Sequence, residues 1–321
     1  MKNPIAIIDL GTNTFHLMII NPQAANPYMP IYRQKEFVKL GEGGLAYILP
    51  VAFERGLQTM QHYAQLIAQY QITTVYAFAT EGLRKATNSA QFIQAVSDIC
   101  GIKIQCISGD AEALFIYHGI CQAIKLPKQP VLMMDIGGGS VEFIIADQHQ
   151  MYWKQSFRVG ASVLKNLFHH TDPITTTQIA ALNQHINTTL QPLWDACLPF
   201  QLHTLIGSSG TFDTIADMQM AINQQKRTPE TITYNLTAAF VDQAFNQLTK
   251  SNLAQRLVIP GMEAQRADLI PASISLLQYV IKQLNIQHII QSEYAIKEGV
   301  IWAVLYQPNL LQPNSNIFVN A

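Results

Sequence analysis

Charged residues are scarce in this sequence, and neither sign prevails. Only 13% of the 321 residues are charged, and 20 basic side chains stand against 21 acidic ones. A protein that binds nucleic acid through its overall charge carries a basic excess, which this chain lacks. We therefore expect no nucleic-acid partner, and any anion site must be built locally from a few residues.

Cysteines and long apolar runs are also lacking. The sequence has four cysteines, none of them in C-x-x-C spacing, which argues against a disulfide framework and against a zinc site. No uninterrupted apolar run reaches membrane-spanning length, and the N-terminus has no cleavable leader pattern. These absences predict a cytoplasmic protein with reduced thiols and no membrane partner.

Two glycine-containing turns are the most informative features that are present. The stretch 131–145 reads as an apolar strand that ends at Asp135, a turn of three glycines and Ser140, and a second apolar strand. A partial copy, DLGTNT at Asp9–Thr14, follows another short apolar strand. Each turn is either a simple glycine-rich hairpin or a loop whose N–H groups bind phosphate.

The order of predicted elements repeats once along the chain. Three strands followed by alternating helices and strands occur before residue 126, and a similar series follows. This repetition predicts an α/β fold of two similar domains, 1–125 and 126–321. The last helix belongs to the second domain or packs back on the first, and we expect ligand in the cleft between the domains.

The two aspartates before the turns are suited to a metal ion. If the turns bind neighbouring phosphates, Asp9 and Asp135 are placed to share a Mg²⁺ or its waters, since carboxylate oxygens are ligands of this ion. The alternative is that each aspartate caps its turn.

Three segments carry a resemblance to a known family. The segments 9–16, 135–142 and 79–88 (ATEGLRKATN) are similar to signatures of the exopolyphosphatase/guanosine pentaphosphate phosphohydrolase family, and the resemblance covers nearly the whole chain. That family belongs with actin, sugar kinases and heat-shock ATPases. The resemblance implies two actin-like ATPase domains of the ribonuclease H-like type.

The resemblance also implies roles for two charged side chains. Arg84 stands in the place of a phosphate-contacting arginine; alternatively it is a surface residue that pairs with Glu81. Glu112, in the segment SGDAEALF, stands in the place of the general base that activates water. The alternative for this segment is helix capping by Asp110, with Glu112 merely favoured in the first turn.

The complete set of expected site residues falls into three groups. The phosphate-binding group is Gly11, Thr12, Asn13, Thr14, Arg84, Gly137, Gly138, Gly139 and Ser140. The metal group is Asp135 and Asp9, with Glu142 added by the resemblance. A group for a nucleoside or distal phosphate is implied by the resemblance of 205–214 to the segment that contacts the nucleoside in ATP-using relatives, and of 259–269 to a later family segment. This group is Gly207, Ser208, Ser209, Gly210, Thr211 and Arg266. In that last group a helix N-terminus binds an anion, or Thr211 only caps the helix.

The expected function is hydrolysis of terminal phosphoanhydride bonds, with Mg²⁺ as cofactor and polyphosphate or guanosine pentaphosphate as substrate. The sequence departs from the family pattern at Ala111, where a second glutamate is usual, and at Tyr294 and Lys297, where glycine and arginine are common. These departures leave open a sensor that binds without turnover. An acceptor kinase of the same superfamily also stays open, as does the choice between a monomer and a homodimer.

Overall fold

The computed structural model describes residues 3–228 and 230–320 and divides them into two compact units. The first unit contains residues up to Gly119 together with those from Ile296 onward, and the second is Ile120–Ala295. No helix of the described residues combines the length and the apolar character that crossing a membrane requires. All four cysteines are free thiols.

The secondary structure consists of eleven strands and twelve α-helices within the described residues. The strands are β1 Ile5–Leu10, β2 Thr14–Ile20, β3 Tyr32–Phe37, β4 Thr74–Ala79, β5 Ile104–Cys106, β6 Val131–Ile136, β7 Val141–Ala146, β8 Met151–Phe157, β9 Thr204–Ser208, β10 Thr233–Thr237 and β11 His288–Ser292. The helices are α1 Pro50–Gln69, α2 Glu81–Lys85, α3 Ser89–Cys100, α4 Gly109–Ala123, α5 Ala161–Phe168, α6 Thr176–Thr189, α7 Gln191–Cys197, α8 Gly210–Ile222, α9 Ala238–Lys250, α10 Leu253–Leu257, α11 Ile270–Gln283 and α12 Ile296–Tyr306.

The first unit is built on a five-stranded sheet in the order β3-β2-β1-β4-β5. β1 pairs antiparallel with β2 and parallel with β4, because β1 and β2 form a hairpin whereas a helical crossover separates β1 from β4. Helices α1 and α3 pack together beside this sheet, and the ring of Phe92 lies against Gly56, where an added Cβ would come within 2.9 Å of it. The buried hydroxyl of Tyr63 donates to the Phe15 carbonyl at 3.0 Å and ties α1 to β2.

The second unit is built on a six-stranded sheet in the order β10-β11-β9-β6-β7-β8. Every residue of β6 and β7 is buried, as expected for strands whose two faces are both covered by other elements. Helix α11 is buried along most of its length and packs on α5, α6 and α9. This core therefore encloses the central strand β6 that leads into the three-glycine turn.

The two sheets share one pattern, three antiparallel strands in a meander followed by parallel strands on the far side of the first one. The predicted α/β class, with two units of similar topology, is confirmed by this repeated strand order.

The starts of two helices show local details of capping. Helix α8 begins at Gly210 with Ser209 in the N-cap position, so the alternative in which Thr211 caps the helix is wrong. Helix α3 begins at Ser89 and has Asn88 in its N-cap position. The Asn88 side chain makes no cap bond, because it exchanges two 2.9 Å hydrogen bonds with the backbone of Ile48.

Candidate phosphate-binding and catalytic site

Three separate sequence motifs meet at one edge of the first sheet. β1, β4 and β5 are neighbouring parallel strands, so their carboxyl ends lie side by side. The backbone continues this contact past the strands: Thr80 donates to the Leu10 carbonyl at 3.3 Å, and Ile107 donates to the Ala79 carbonyl at 3.0 Å. This edge therefore brings together the turn after β1, helix α2 and the start of α4.

The turn after β1 is held from one side by backbone hydrogen bonds. The carbonyl of Thr12 accepts from the Gly41 N–H at 3.1 Å, and that of Asn13 accepts from the Lys39 N–H at 2.8 Å. In a trans peptide the N–H points opposite to the carbonyl. The N–H groups of Asn13 and Thr14 are therefore directed away from the supporting loop.

The turn after β6 is held in the same way by the first residues of α5. Each of its three glycine carbonyls accepts one hydrogen bond from a backbone N–H group. Ala161 donates to Gly137 at 2.9 Å, Ser162 donates to Gly138 at 2.9 Å, and Gly160 donates to Gly139 at 3.3 Å. By the same peptide geometry, the N–H groups of Gly138, Gly139 and Ser140 point away from α5. None of these three N–H groups donates to a protein acceptor within residues 3–228 and 230–320. Three aligned N–H groups of this kind form an anion-binding concavity.

The two turns have matching internal geometry. Gly11 donates to the Thr14 carbonyl at 3.0 Å, and Gly137 donates to the Ser140 carbonyl at 3.0 Å. A Cβ added to Gly11 would lie 2.9 Å from the Thr14 carbonyl oxygen, and a Cβ added to Gly137 would lie 3.0 Å from the Ser140 carbonyl oxygen. The sequence resemblance between the two turns is therefore a resemblance of backbone shape.

Gly160, which the sequence analysis did not single out, is needed for the second turn. A Cβ on this residue would lie within 2.4 to 2.5 Å of backbone atoms of Gly138 and Gly139. Its own φ of −65° is accessible to any residue, so only the close approach of the helix start to the turn demands glycine here. The position of this glycine, just before a predicted helix, is the sequence feature from which its role could have been suspected.

Arg84 and Glu112 form a direct ion pair in the first unit. The Arg84 Nη1 lies 3.0 Å from Glu112 Oε2, and it also donates to the Ile107 carbonyl at 2.6 Å. Glu81 Oε2 accepts from Arg84 Nε at 2.9 Å and lies 2.7 Å from Nη2. Burial lowers the pKa of Arg84, but the charges of Glu112 and Glu81 outweigh this effect and raise it overall.

The alternative for Arg84, a surface residue that pairs with Glu81, is right about the pair but wrong about the surface. Arg84 does pair with Glu81 at helical spacing, but only 8% of its side chain is exposed, and it reaches the predicted base as well. No sequence pattern indicates the contact with Glu112, because the two residues are 28 positions apart and meet through the pairing of β4 with β5.

The helix that carries Glu112 is capped by Ser108. The Ser108 Oγ accepts from the N–H of Ala111 at 3.1 Å, and its carbonyl accepts from Glu112 at 2.9 Å. Asp110 is the second residue of α4, so the alternative in which Asp110 caps the helix is wrong. The Ser108 N–H donates to the Ile317 carbonyl at 2.8 Å, which adds a short C-terminal segment to the edge of the sheet.

Asp135, at the end of β6, is anchored by two serine hydroxyls. Ser208 Oγ donates to Oδ2 at 2.5 Å, and Ser209 Oγ lies 2.8 Å and 2.7 Å from Oδ1 and Oδ2. Ser209 has φ 69° and ψ 178°, a backbone region that is almost restricted to glycine. The bonds to a buried carboxylate therefore hold a strained residue in place.

Glu142 lies opposite Asp135 in the β6–β7 register and is fully buried. Its Oε1 accepts a 2.6 Å hydrogen bond from Ser156. Asp9 holds the corresponding place in the first hairpin, opposite His16. Residues 3–228 and 230–320 contain no group of three or more His, Cys, Asp or Glu side chains arranged to hold a metal ion.

The residues predicted for a nucleoside or distal phosphate divide between two places. Ser208 and Ser209 are anchors of Asp135, and Gly207 leaves room for the Phe212 ring, which an added Cβ would meet at 2.0 Å. Gly210 and Arg266 do come together: a Cβ on Gly210 would lie 1.4 Å from Nη1 of the arginine. The guanidinium thus covers the first residue of α8.

Comparison with known proteins places this geometry in a family. The Ppx/GppA phosphatase family matches residues 19–307. The crystal structure of an exopolyphosphatase from Cytophaga hutchinsonii has a TM-score of 0.90 and 34% identity, over 94% of this chain and 98% of that chain. The Aquifex aeolicus member of the Ppx/GppA family has a TM-score of 0.77 and 22% identity, over 95% and 98%.

The fold and the matched family define a phosphohydrolase enzyme. The chain belongs to the Ppx/GppA phosphatase family, which confirms the resemblance seen in the sequence.

Replacing Gly160 with alanine tests the support of the second turn. The new methyl group displaces the turn from α5, so we expect the Kd for tripolyphosphate to rise about tenfold, as for a lost hydrogen bond to a charged group. Isothermal titration calorimetry measures this change. The control Ala161→Gly adds no atom at the neighbouring position, so its Kd for tripolyphosphate should be almost that of the unchanged protein. If Gly160→Ala also bound tripolyphosphate with an unchanged Kd, Gly160 would not be needed to support the turn.

Two substitutions of Ser209 test its strained backbone. Both remove the hydroxyl group, but only glycine adopts φ 69° and ψ 178° without cost, so Ser209→Ala should be less stable than Ser209→Gly by about 1–3 kcal/mol. Urea unfolding measures the difference. At the control position Ser251, where φ is −90°, the alanine variant should be at least as stable as the glycine variant. If the glycine variant were more stable than the alanine variant at both positions, or less stable at both, the proposed backbone strain at Ser209 would be refuted.

Proposed function

We propose that this enzyme hydrolyses the terminal phosphoanhydride bond of inorganic polyphosphate or guanosine pentaphosphate and releases orthophosphate. The observation that carries the proposal is the 3.0 Å contact of Glu112 with Arg84 at the sheet edge that also bears the turn after β1. A carboxylate beside a cation that can bind phosphate oxygens is the arrangement that water attack on phosphorus requires.

In this mechanism Glu112 orients a water molecule and accepts its proton while the water oxygen bonds to the terminal phosphorus. The bond from that phosphorus to the bridging oxygen breaks, and the shortened chain leaves with that oxygen. Because charge in the transition state is spread over the phosphoryl oxygens, fixed donors supply most of the stabilisation. In the first unit these donors are the Arg84 guanidinium and the N–H groups of Asn13 and Thr14; in the second unit the N–H groups of Gly138, Gly139 and Ser140 form a phosphate-binding turn of their own.

The residues present fit a Mg²⁺ ion. Asp135 is a carboxylate with its side chain fixed by Ser208 and Ser209, and Glu142, its partner across β6 and β7, adds an oxygen ligand of the type that Mg²⁺ prefers. This ion is usually bound by one or two carboxylates together with water and substrate phosphates, which agrees with so few protein ligands. When bound, it would neutralise charge on the phosphates; we propose Asp135 and Glu142 as the residues that hold it.

Two observations support the proposed substrates, one for polyphosphate and one for guanosine pentaphosphate. The similar protein from Cytophaga hutchinsonii is described as an exopolyphosphatase, which favours polyphosphate. The guanidinium of Arg266 over Gly210 at the start of α8 is a place where a further phosphate or a nucleoside can bind, which keeps guanosine pentaphosphate as the second substrate.

Phosphate release by the purified protein tests the proposed reaction. We expect orthophosphate from polyphosphate chains, guanosine pentaphosphate or both, with Mg²⁺ present and no acceptor added, and a loss of release when EDTA removes the ion. Release only with a hydroxyl acceptor present would indicate a kinase. Tight binding of tripolyphosphate without any release would indicate a sensor.

The substitution Glu112→Gln tests the assigned base. The amide keeps the size of the side chain but cannot accept the proton, so kcat should fall by a factor of about 10² to 10⁴. Tripolyphosphate should bind at least as well as before, because a negative charge is lost near the phosphates. Glu54→Gln changes an exposed carboxylate of α1 that accepts a hydrogen bond from Gln58, and it is the matched control. Loss of both binding and turnover would argue against the role of Glu112 as base.

A further inference from the structure

Glu81 is a buried carboxylate that the sequence suggested only as a surface partner of Arg84. Its side chain is 5% exposed, and one of its oxygens, Oε2, contacts both Nε and Nη2 of Arg84. Glu112 reaches the same guanidinium through Nη1 alone. The arginine thus lies between two carboxylates, and Glu81 makes the larger number of contacts with it.

The position of Glu81 is fixed by the backbone around it. Thr80 donates to Leu10, and an added Cβ on Gly82 would lie 3.0 Å from both Cα and Oγ1 of Thr12. The first turn of α2 is therefore packed directly against the turn after β1. A side chain anchored here holds the guanidinium at a constant place relative to that turn.

The hydrogen bonds of Arg84 show how its charge is shared. A guanidinium has five N–H groups. Two contact Glu81, one contacts Glu112 and one donates to the Ile107 carbonyl. Two carboxylates therefore share one guanidinium. Glu112 receives only part of its positive charge, which suits a group that must accept a proton.

We propose that Glu81 is a positioning residue that divides the charge of Arg84 and so keeps Glu112 basic. This inference rests on the proposed hydrolysis, since it concerns the same base. Without the negative charge of Glu81, Glu112 would be the one carboxylate that pairs with the guanidinium. Phosphate would then bind more tightly, whereas proton transfer to Glu112 would become slower.

The substitution Glu81→Gln tests this division of charge. We expect kcat to fall about tenfold or more while KM for polyphosphate and Kd for tripolyphosphate both fall about three- to tenfold. Damage to the fold alone lowers kcat and leaves KM unchanged or raises it. A fall of kcat together with a fall of KM and Kd is therefore the distinguishing result. Glu81→Asp, which keeps the charge, should restore KM and Kd toward the original values, and Glu54→Gln should change neither constant.

The outcomes separate this proposal from the proposed reaction. If the unchanged protein releases no phosphate, the reaction is wrong, but the tripolyphosphate Kd of Glu81→Gln still tests the charge of the cluster. Unchanged Kd and kcat, or a raised KM, would overturn the role of Glu81. If Glu81→Gln does not fold, Glu81→Met replaces it; failure of both, with Glu81→Asp folded, would show that the charge serves folding and would also overturn the proposal.

Discussion

The parallel pairing of strands at the centre of each sheet is the constraint on which the candidate site depends. In the first unit β1, β4 and β5 run side by side, so residues near positions 10, 80 and 107 become neighbours although long segments separate them in the chain. In the second unit β6, β9 and β11 do the same. Side chains at the carboxyl ends of such strands converge without any need for a long, ordered loop, as in open α/β sheets generally.

The buried cluster of Arg84, Glu81 and Glu112 is costly for the fold. Removing charges from water costs several kcal/mol per ion, and their mutual attraction compensates only when geometry and hydrogen bonding are good. The three side chains are 5% to 10% exposed, and the arginine uses four of its five N–H groups. A well-packed apolar set would serve stability equally well, so the retention of two carboxylates around one cation is better explained by the chemistry proposed for this edge of the sheet.

The sequence was most informative where function depends on local backbone shape. The paired turns at Asp9–Thr14 and Asp135–Ser140 could be found because small residues after a strand-ending aspartate are a local pattern, and the repeated order of elements predicted the α/β fold. The contact of Arg84 with Glu112 could not be found, because it depends on which strand lies next to β4. Gly160 was missed for a similar reason, since its requirement comes from a turn more than 20 residues earlier. The alternative in which Asp110 caps α4 is wrong because Ser108, two residues before it, accepts a hydrogen bond from the helix N-terminus.

The two units use the same hairpin differently, and the strand next to it decides how. Parallel pairing places Ser208 beside Asp135 in the second unit but Phe78 beside Asp9 in the first. The serine hydroxyl fixes the carboxylate of Asp135, whereas the Phe78 ring packs with Phe115 and Phe318. The support of the turns differs as well, with a loop in the first unit and the start of α5 in the second. The same fold thus carries a buried arginine between two carboxylates in the first unit, and a fixed carboxylate with outward N–H groups in the second. These few side-chain differences give the two similar hairpins different chemical surroundings.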